Sequence, residues 1–178
     1  METLLRTERL VLREFTVDDL RTLLAIESRP EQVRYQSFDA HTEDTARAYI
    51  AAVMAGARAV PRLLFDLAIT RDGGELFGRA GFRRDASDPR LGELWFNVAP
   101  ELTGQGYATE AARAIISFAF RELGMHRLLG DCDPRNPASA RVMERLGMRR
   151  EGHHVQNVFL KGEWCDSLIY AVLASEWR

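Results

Sequence analysis

Cysteine is scarce in this chain. Its two copies, Cys132 and Cys165, form no C-x-x-C pair and anchor no disulfide framework among the 178 residues, which points to a reducing compartment and a cytoplasmic location. An excess of either charge is missing too. The 24 Lys plus Arg stand against 26 Asp plus Glu, and the formal net charge of -2 gives no electrostatic case for nucleic acid or an anionic membrane. Long apolar runs are absent: METLLRTERLVLREF is interrupted by charge every few residues, so neither a secretory core nor a span of ~20 apolar residues is expected there. Histidine is thin and scattered. His153 and His154 are neighbours that would face opposite sides of a strand, His41 and His126 lie far off, and no metal site is expected.

What is present is a hydrophobic content of 46% over a length that fits one domain, 1–178, with a sizeable core. RLVLREF (9–15) alternates as a strand, and Thr16 with Asp18 and Asp19 caps a helix running to about Ser28, before Pro30. A second helix is expected from Thr42 to about Ala57. RLLFDLAIT (62–70) and ELFGRAGFRR (75–84) flank RDGG and read as an antiparallel hairpin, followed by a strand at LGELWFNV (91–98). A helix over about 106–122 carries Ala111, Ile115, Phe118 and Ala119 on one stripe. A short strand at 126–132, a helix at 137–147 closed by glycine, and a last hairpin of 155–160 and 167–173 across Lys161–Asp166 complete the chain. The order predicts an α/β (α+β) fold with a mixed, mostly antiparallel central sheet of about seven strands and about four helices, not an alternating Rossmann array.

The segment LTGQGYATEA (102–111) sets two glycines one residue apart ahead of that third helix. It lacks the third glycine of a dinucleotide fingerprint and the G-K-[ST] of a Walker loop. Two readings stay open. Gly104 and Gly106 either only turn the chain, or they let an anion reach the unpaired N–H groups and positive dipole end of the helix behind them.

TERLVLREF, GQGYATEA and DPRNPASARVMERLGMRREG together resemble the GCN5-related N-acetyltransferase superfamily, most closely the branch containing the ribosomal-protein alanine N-acetyltransferases. The resemblance covers about Thr7 to Trp177. It implies acetyl-CoA as acetyl donor, with Asn97, Val98 and Ala99 offering backbone to the pantetheine arm at a splayed strand pair. It also implies a phosphate cradle at Thr103, Gly104, Gln105, Gly106, Tyr107, Ala108 and Thr109, with Asn136 and Ser139 beside the thioester. Two positions depart from the family pattern. Thr103 stands where relatives commonly carry Gln or Arg, and Met143 stands where many carry the tyrosine that protonates the leaving thiolate; Ser139 is the replacement acid the branch implies. A helix-terminal serine bonding its own backbone is the alternative.

The implied partner is an amine-bearing acceptor, a protein N-terminus or a small amine, with homodimerisation left open. Acetyl transfer needs an uncharged nitrogen, and at pH 7 this costs about 4.6 kcal/mol for a lysine but only about 1 to 1.4 for an α-amine. A modest base suffices for the latter. Glu93 is the candidate because it shares a strand face with Trp95 and Asn97, although a solvated strand carboxylate explains it equally. No buried acidic pair is evident. Glu110, in the first turn of the phosphate-side helix, suits the dipole rather than the chemistry. Cys132 reads as a small buried filler, and Trp95, Trp164 and Trp177 are too dispersed for a stacking platform. The acceptor is expected to bind among 28–60 and 152–166. The alternative to an enzyme is a CoA-binding domain without turnover.

Overall fold

A computed structural model describes residues 3–178. Eight strands form one sheet: β1 (Thr3–Arg6), β2 (Val11–Arg13), β3 (Leu64–Thr70), β4 (Gly78–Arg84), β5 (Leu91–Val98), β6 (Arg127–Cys132), β7 (Arg149–Leu160) and β8 (Glu163–Leu173). Their order across the sheet is β1-β2-β3-β4-β5-β6-β8-β7. Four helices flank it: α1 (Leu20–Glu27), α2 (Glu43–Ala57), α3 (Tyr107–Arg121) and α4 (Pro137–Arg145).

The expected strand count of about seven rises by one because Thr3–Arg6 pairs with β2. Its four residues are too short and too charge-flanked to show periodicity, so the strand exists through its neighbour rather than its own pattern. The strand expected over 9–15 shrinks to Val11–Arg13, because Arg9 leaves the ladder to pair with Glu110. Thr16 caps as expected, forming a capping box with Asp19 around a short 3-10 turn that leads into α1. The last hairpin turns on Lys161 and Gly162 alone, with φ of 49 and 87, and not across Lys161–Asp166. Two consecutive left-handed residues match a tight two-residue turn, which lets β7 and β8 run 12 and 11 residues.

Helices divide between the two faces. α1 and α2 bury Leu23, Ile26, Ala46, Ile50 and Val53 against Ala68 of β3. On the other face α3 buries Ala111, Ala112, Ile115, Ile116 and Ala119 at 0% exposure against Leu67, Phe82 and Leu94. These positions recur with the period of one helical stripe, and truncating either isoleucine to alanine costs about 2–5 kcal/mol.

One feature of the sheet positions the site. Every neighbouring pair is antiparallel except β5 and β6, which run parallel and are paired only at Leu91, Gly92 and Glu93 against Arg127, Leu128 and Leu129. Beyond Glu93 the two strands part. The sheet is therefore split at its centre, and the C-terminal half of β5 has no strand partner on that side.

Candidate active site

The split opens onto a cavity of about 700 Å³. Glu93, Trp95, Asn97, Asn136, Ser139 and Met143 line it, so the residues nominated from the sequence for chemistry are brought to one place. Asp66, Asp131 and Tyr49 join them and were not nominated.

Strand geometry decides which backbone groups face the split. The Ala99 N–H donates to Phe77 O at 2.7 Å, so odd-numbered residues of β5 direct their backbone toward β4. Of the three residues expected to offer a free edge, Ala99 and Asn97 are thus turned to β4. Val98 faces the split with Leu94 and Phe96, and its carbonyl accepts Gln32 Nε2 at 2.8 Å.

The Gly segment ends in an α3 N-terminus without a side-chain cap. Gly106 is the N-cap at φ 84. By contrast Thr42 caps α2 and Asn136 caps α4 through their side chains. The first amides of α3 are accordingly left for an external acceptor. Gly104, at φ 82, has nothing within 4 Å of the position a Cβ would take, and at Gly106 the nearest such atom is Arg9 Nη2 at 3.4 Å. Backbone conformation, not crowding inside the protein, is what demands glycine here. Thr103, Gln105, Tyr107, Ala108 and Thr109 complete the segment: the Gln105 carbonyl accepts Arg9 Nη1 at 3.1 Å, and the Arg9 guanidinium lies 4.6 Å over the Tyr107 ring. Glu110 is held by Thr7 and Arg9, and its pKa falls because those hydrogen bonds outweigh its burial. It is held by the turn between β1 and β2, and Arg9 links it to the Gln105 carbonyl of the cradle.

Asn136 and Ser139 form a reciprocal pair at the start of α4. The Ser139 N–H donates to Asn136 Oδ1 at 3.3 Å, and Asn136 Nδ2 donates to Ser139 Oγ at 3.0 Å. Oγ is therefore an acceptor in this pair, and among the described residues its own proton has no acceptor. Met143, one turn on, is buried at 1% exposure. Cys132 is also buried, and its thiol is raised to about 11 by that burial and by Asp131, Asp133 and Glu144, which fits a filler rather than a nucleophile.

On the α1/α2 face, Arg79 stands between two buried carboxylates. Its Nε donates to Glu27 at 2.8 Å, while Nη1 is 3.4 Å from Asp66. Asp66 also accepts from Tyr49 Oη and, at 3.2 Å, from Trp95 Nε1. Burial raises the Asp66 pKa more than these partners lower it. Burial acts on Glu27 as well, but hydrogen bonds from His41, Arg79 and Asn97 and the Arg79 charge hold that carboxyl below its usual range. Arg79 makes the shorter contact to Glu27, which also gains His41 and Asn97 as donors. This network fixes the cavity wall, and no periodicity could have revealed it because its members come from five separate elements.

Glu93 and Asp131 behave differently. Among the described residues neither makes an ion pair, and both open into the cavity. Glu93 pairs in register with Leu129, so Asp131, two residues along β6, shares its face. Desolvation raises both pKa values, the Asp131 charge adds to the rise at Glu93, and Arg83 opposes it. An acidic pair is therefore formed across the split rather than along one element, with both members exposed to the cavity and not buried. Among the described residues no cluster of metal-binding side chains occurs, and no helix is long and apolar enough to cross a membrane.

Comparison with known proteins is consistent from end to end. Residues 9–149 match the family model described as an acetyltransferase (GNAT) domain. An uncharacterized N-acetyltransferase of Bacillus subtilis, YnaD, is 33% identical over 97% of this chain and 98% of its own. The ribosomal protein uS5-alanine N-acetyltransferase of Escherichia coli is 27% identical over 47% of this chain and 43% of its own. A crystal structure of a GNAT-family acetyltransferase from Bacillus anthracis superimposes with a TM-score of 0.86 at 28% identity, covering 96% of this chain and 98% of that one. Given a family match that spans most of the sheet and a relative one third identical over nearly the full length, the chain belongs to the GNAT family of N-acetyltransferases.

Proposed function

We propose that the chain moves an acetyl group from acetyl-CoA to a free α-amine at a protein N-terminus. The observation that carries this reading is the split between β5 and β6. On one side it adjoins an uncapped helix N-terminus suited to a pyrophosphate, and it opens on a cavity holding two unpaired carboxylates. The cradle of residues 103–109 fits the phosphates, and the backbone of Leu94, Phe96 and Val98 fits an extended pantetheine arm. Acetyl-CoA supplies the activated thioester.

The chain's own groups then divide the work. The amine arrives as an ammonium, and Glu93, with Asp131 beside it, accepts its proton directly or through one cavity water. As the new C–N bond forms and the C–S bond breaks, sulfur leaves with the electron pair and takes the proton of Ser139 Oγ, while the second proton lost by the acylated nitrogen returns through cavity water to Oγ and restores the hydroxyl. Asn136 holds that hydroxyl by donating into Oγ, which stabilises the developing negative charge on oxygen and leaves the proton free to go. The proton cost favours an α-amine, at about 1 to 1.4 kcal/mol, over a lysine at about 4.6.

A small polyamine is the second reading, and one observation favours it. Glu93 and Asp131, neither in an ion pair among the described residues, line the cavity with Arg83 as the nearby cation, a local surplus of negative charge that suits an acceptor bearing several cations, whereas Asp133 and Asp166 are engaged by Arg135 and His153. Thiol release from acetyl-CoA, measured against a panel of N-terminal peptides, polyamines and aminoglycosides, tests both readings.

A further inference from the structure

Among 24 basic side chains this protein has a single lysine, Lys161. It begins the two-residue turn between β7 and β8 at φ 49, a conformation that a lysine rarely adopts. Its Nζ donates to three backbone carbonyls: Val33 O at 2.7 Å, Gln36 O at 2.9 Å and Phe38 O at 2.7 Å. All three ammonium protons are used. The acceptors lie in the connection from Ser28 to Thr42, which contains neither helix nor strand and reaches Lys161 from more than a hundred residues away. Tyr35, Gln36, Ser37 and Phe38 of that connection line the cavity.

The carbonyls explain why the residue is a lysine. Three converging C=O groups suit a compact tetrahedral ammonium, whereas the planar guanidinium fork suits carboxylates, which is where this chain uses arginine repeatedly. The connection has a second anchor on its other flank. Gln32 Nε2 bridges Asn97 Oδ1 and Val98 O at 2.8 Å each, on the strand beside the split. Phe38 stacks on His41 at 5.2 Å and lies under the Arg79 guanidinium at 5.3 Å. With Gln32 tying the connection to β5 and Lys161 tying it to the far hairpin, the segment is fastened on both flanks of its cavity-lining stretch.

We propose that Lys161 is a positioning residue for the acceptor: by gathering the carbonyls of Val33, Gln36 and Phe38 it fixes Tyr35–Phe38 as the wall against which the incoming amine is oriented. The inference rests on reading the cavity as the acceptor site. Lys161 touches no reacting atom, and its removal leaves the cradle, Ser139 and Glu93 in place.

The test compares Lys161→Met, which keeps the length of the stem but no donor, with Lys161→Arg. Amide hydrogen exchange across 33–38 rises in Lys161→Met, whatever acceptor the enzyme uses; unchanged exchange there overturns the pin. With a lysine-free peptide bearing an alanine N-terminus, and spermidine in a parallel arm, Lys161→Met raises the acceptor KM about 10-fold or more, with kcat and CoA affinity nearly constant. Raised exchange with an unaltered acceptor KM overturns the positioning role. Because the chain has one lysine, reductive methylation gives a second readout. It keeps the positive charge but removes donors, so wild-type protein shows the same KM rise, while Lys161→Arg, modified only at its N-terminal amine, shows none. Failure of wild-type to acetylate either probe counts against the acceptor reading, and the exchange result still decides the pin.

Discussion

Glu93 and Asp131 sit on the same face of two strands at the point where they part, Glu93 as the last paired residue of β5 and Asp131 two residues beyond the Glu93 partner Leu129 on β6. Each is an ordinary strand carboxylate in isolation. Together, with the protein around them desolvating both, they hold the Glu93 pKa above its usual range, and Arg83 limits the rise. A base must be ionised to act, so a raised pKa moves the acidic limb of kcat/KM to higher pH. Asp131→Asn removes the like charge, lowers the Glu93 pKa, and shifts that limb toward lower pH while keeping activity at pH 8. Glu93→Gln removes the limb's main source and is most damaging between the Glu93 and amine pKa values, where the carboxylate is ionised and neutral amine is still scarce; at lower pH the wild type loses its base as well and the two converge. A pH profile of Asp131→Asn that overlays the wild type would detach Asp131 from the base.

Binding of acetyl-CoA at the Gly segment predicts a different pattern. Gly104→Ala places a Cβ in open space, so its stability penalty is the backbone strain of an L-residue at φ 82, about 1–2 kcal/mol. Gly106→Val adds a branched side chain at φ 84 beside Arg9 and blocks backbone approach at the helix N-cap. Both variants stay folded by circular dichroism. Gly106→Val loses the rise in melting temperature that CoA confers on the wild type through mass action. Equal CoA affinity in a folded Gly106→Val protein would move the cofactor elsewhere.

Sequence alone disclosed the parts of this molecule that are encoded locally. The α3 stripe, the Thr16 cap, the start of the second helix at Thr42, the RDGG hairpin and the Gly segment all follow from spacing within a few residues. What stayed hidden depends on register between distant strands. Asp131 was passed over beside Cys132 because nothing short of the β5/β6 pairing shows that it shares a face with Glu93. Arg79 and Asp66 are buried charges within apolar strands, visible as anomalies but without partners until five elements meet. Lys161–Gly162 escaped as a turn because lysine seldom takes a left-handed conformation, and its reward, three carbonyls, lies on another segment.

For Ser139 the geometry separates a catalytic role from a structural one. The cap of α4 is made by Asn136 Oδ1 to the Ser139 backbone N–H, which Ser139→Ala retains. The substitution therefore leaves the melting temperature and CoA affinity close to wild type, and lowers kcat by about 100-fold if Oγ supplies the thiolate proton. Asn136→Ala, in contrast, removes the cap as well and costs about 1 kcal/mol of stability in addition to activity. A Ser139→Ala enzyme with wild-type turnover and an unchanged solvent isotope effect would return the serine to a purely structural position.

The acceptor prediction sets two physical arguments against each other within one cavity. Proton cost favours an α-amine by roughly 3 kcal/mol over a lysine ε-amine at pH 7, equivalent to more than a hundredfold in the fraction of reactive nitrogen. The surplus of cavity carboxylates favours acceptors with additional positive charge, an advantage that salt weakens because the cavity is open to solvent. A peptide with a free N-terminus and blocked lysines is therefore expected to exceed one with a blocked N-terminus and free lysines, and to hold that lead in both low and moderate salt. Spermidine turnover is expected to fall as salt rises. As pH climbs toward 9 the lysine peptide gains on the α-amine peptide, since its nitrogen is still mostly protonated while the other has already lost its proton. If spermidine surpasses the free-N-terminus peptide by an order of magnitude in kcat/KM, charge complementarity outweighs proton cost in this cavity and the acceptor is a polyamine.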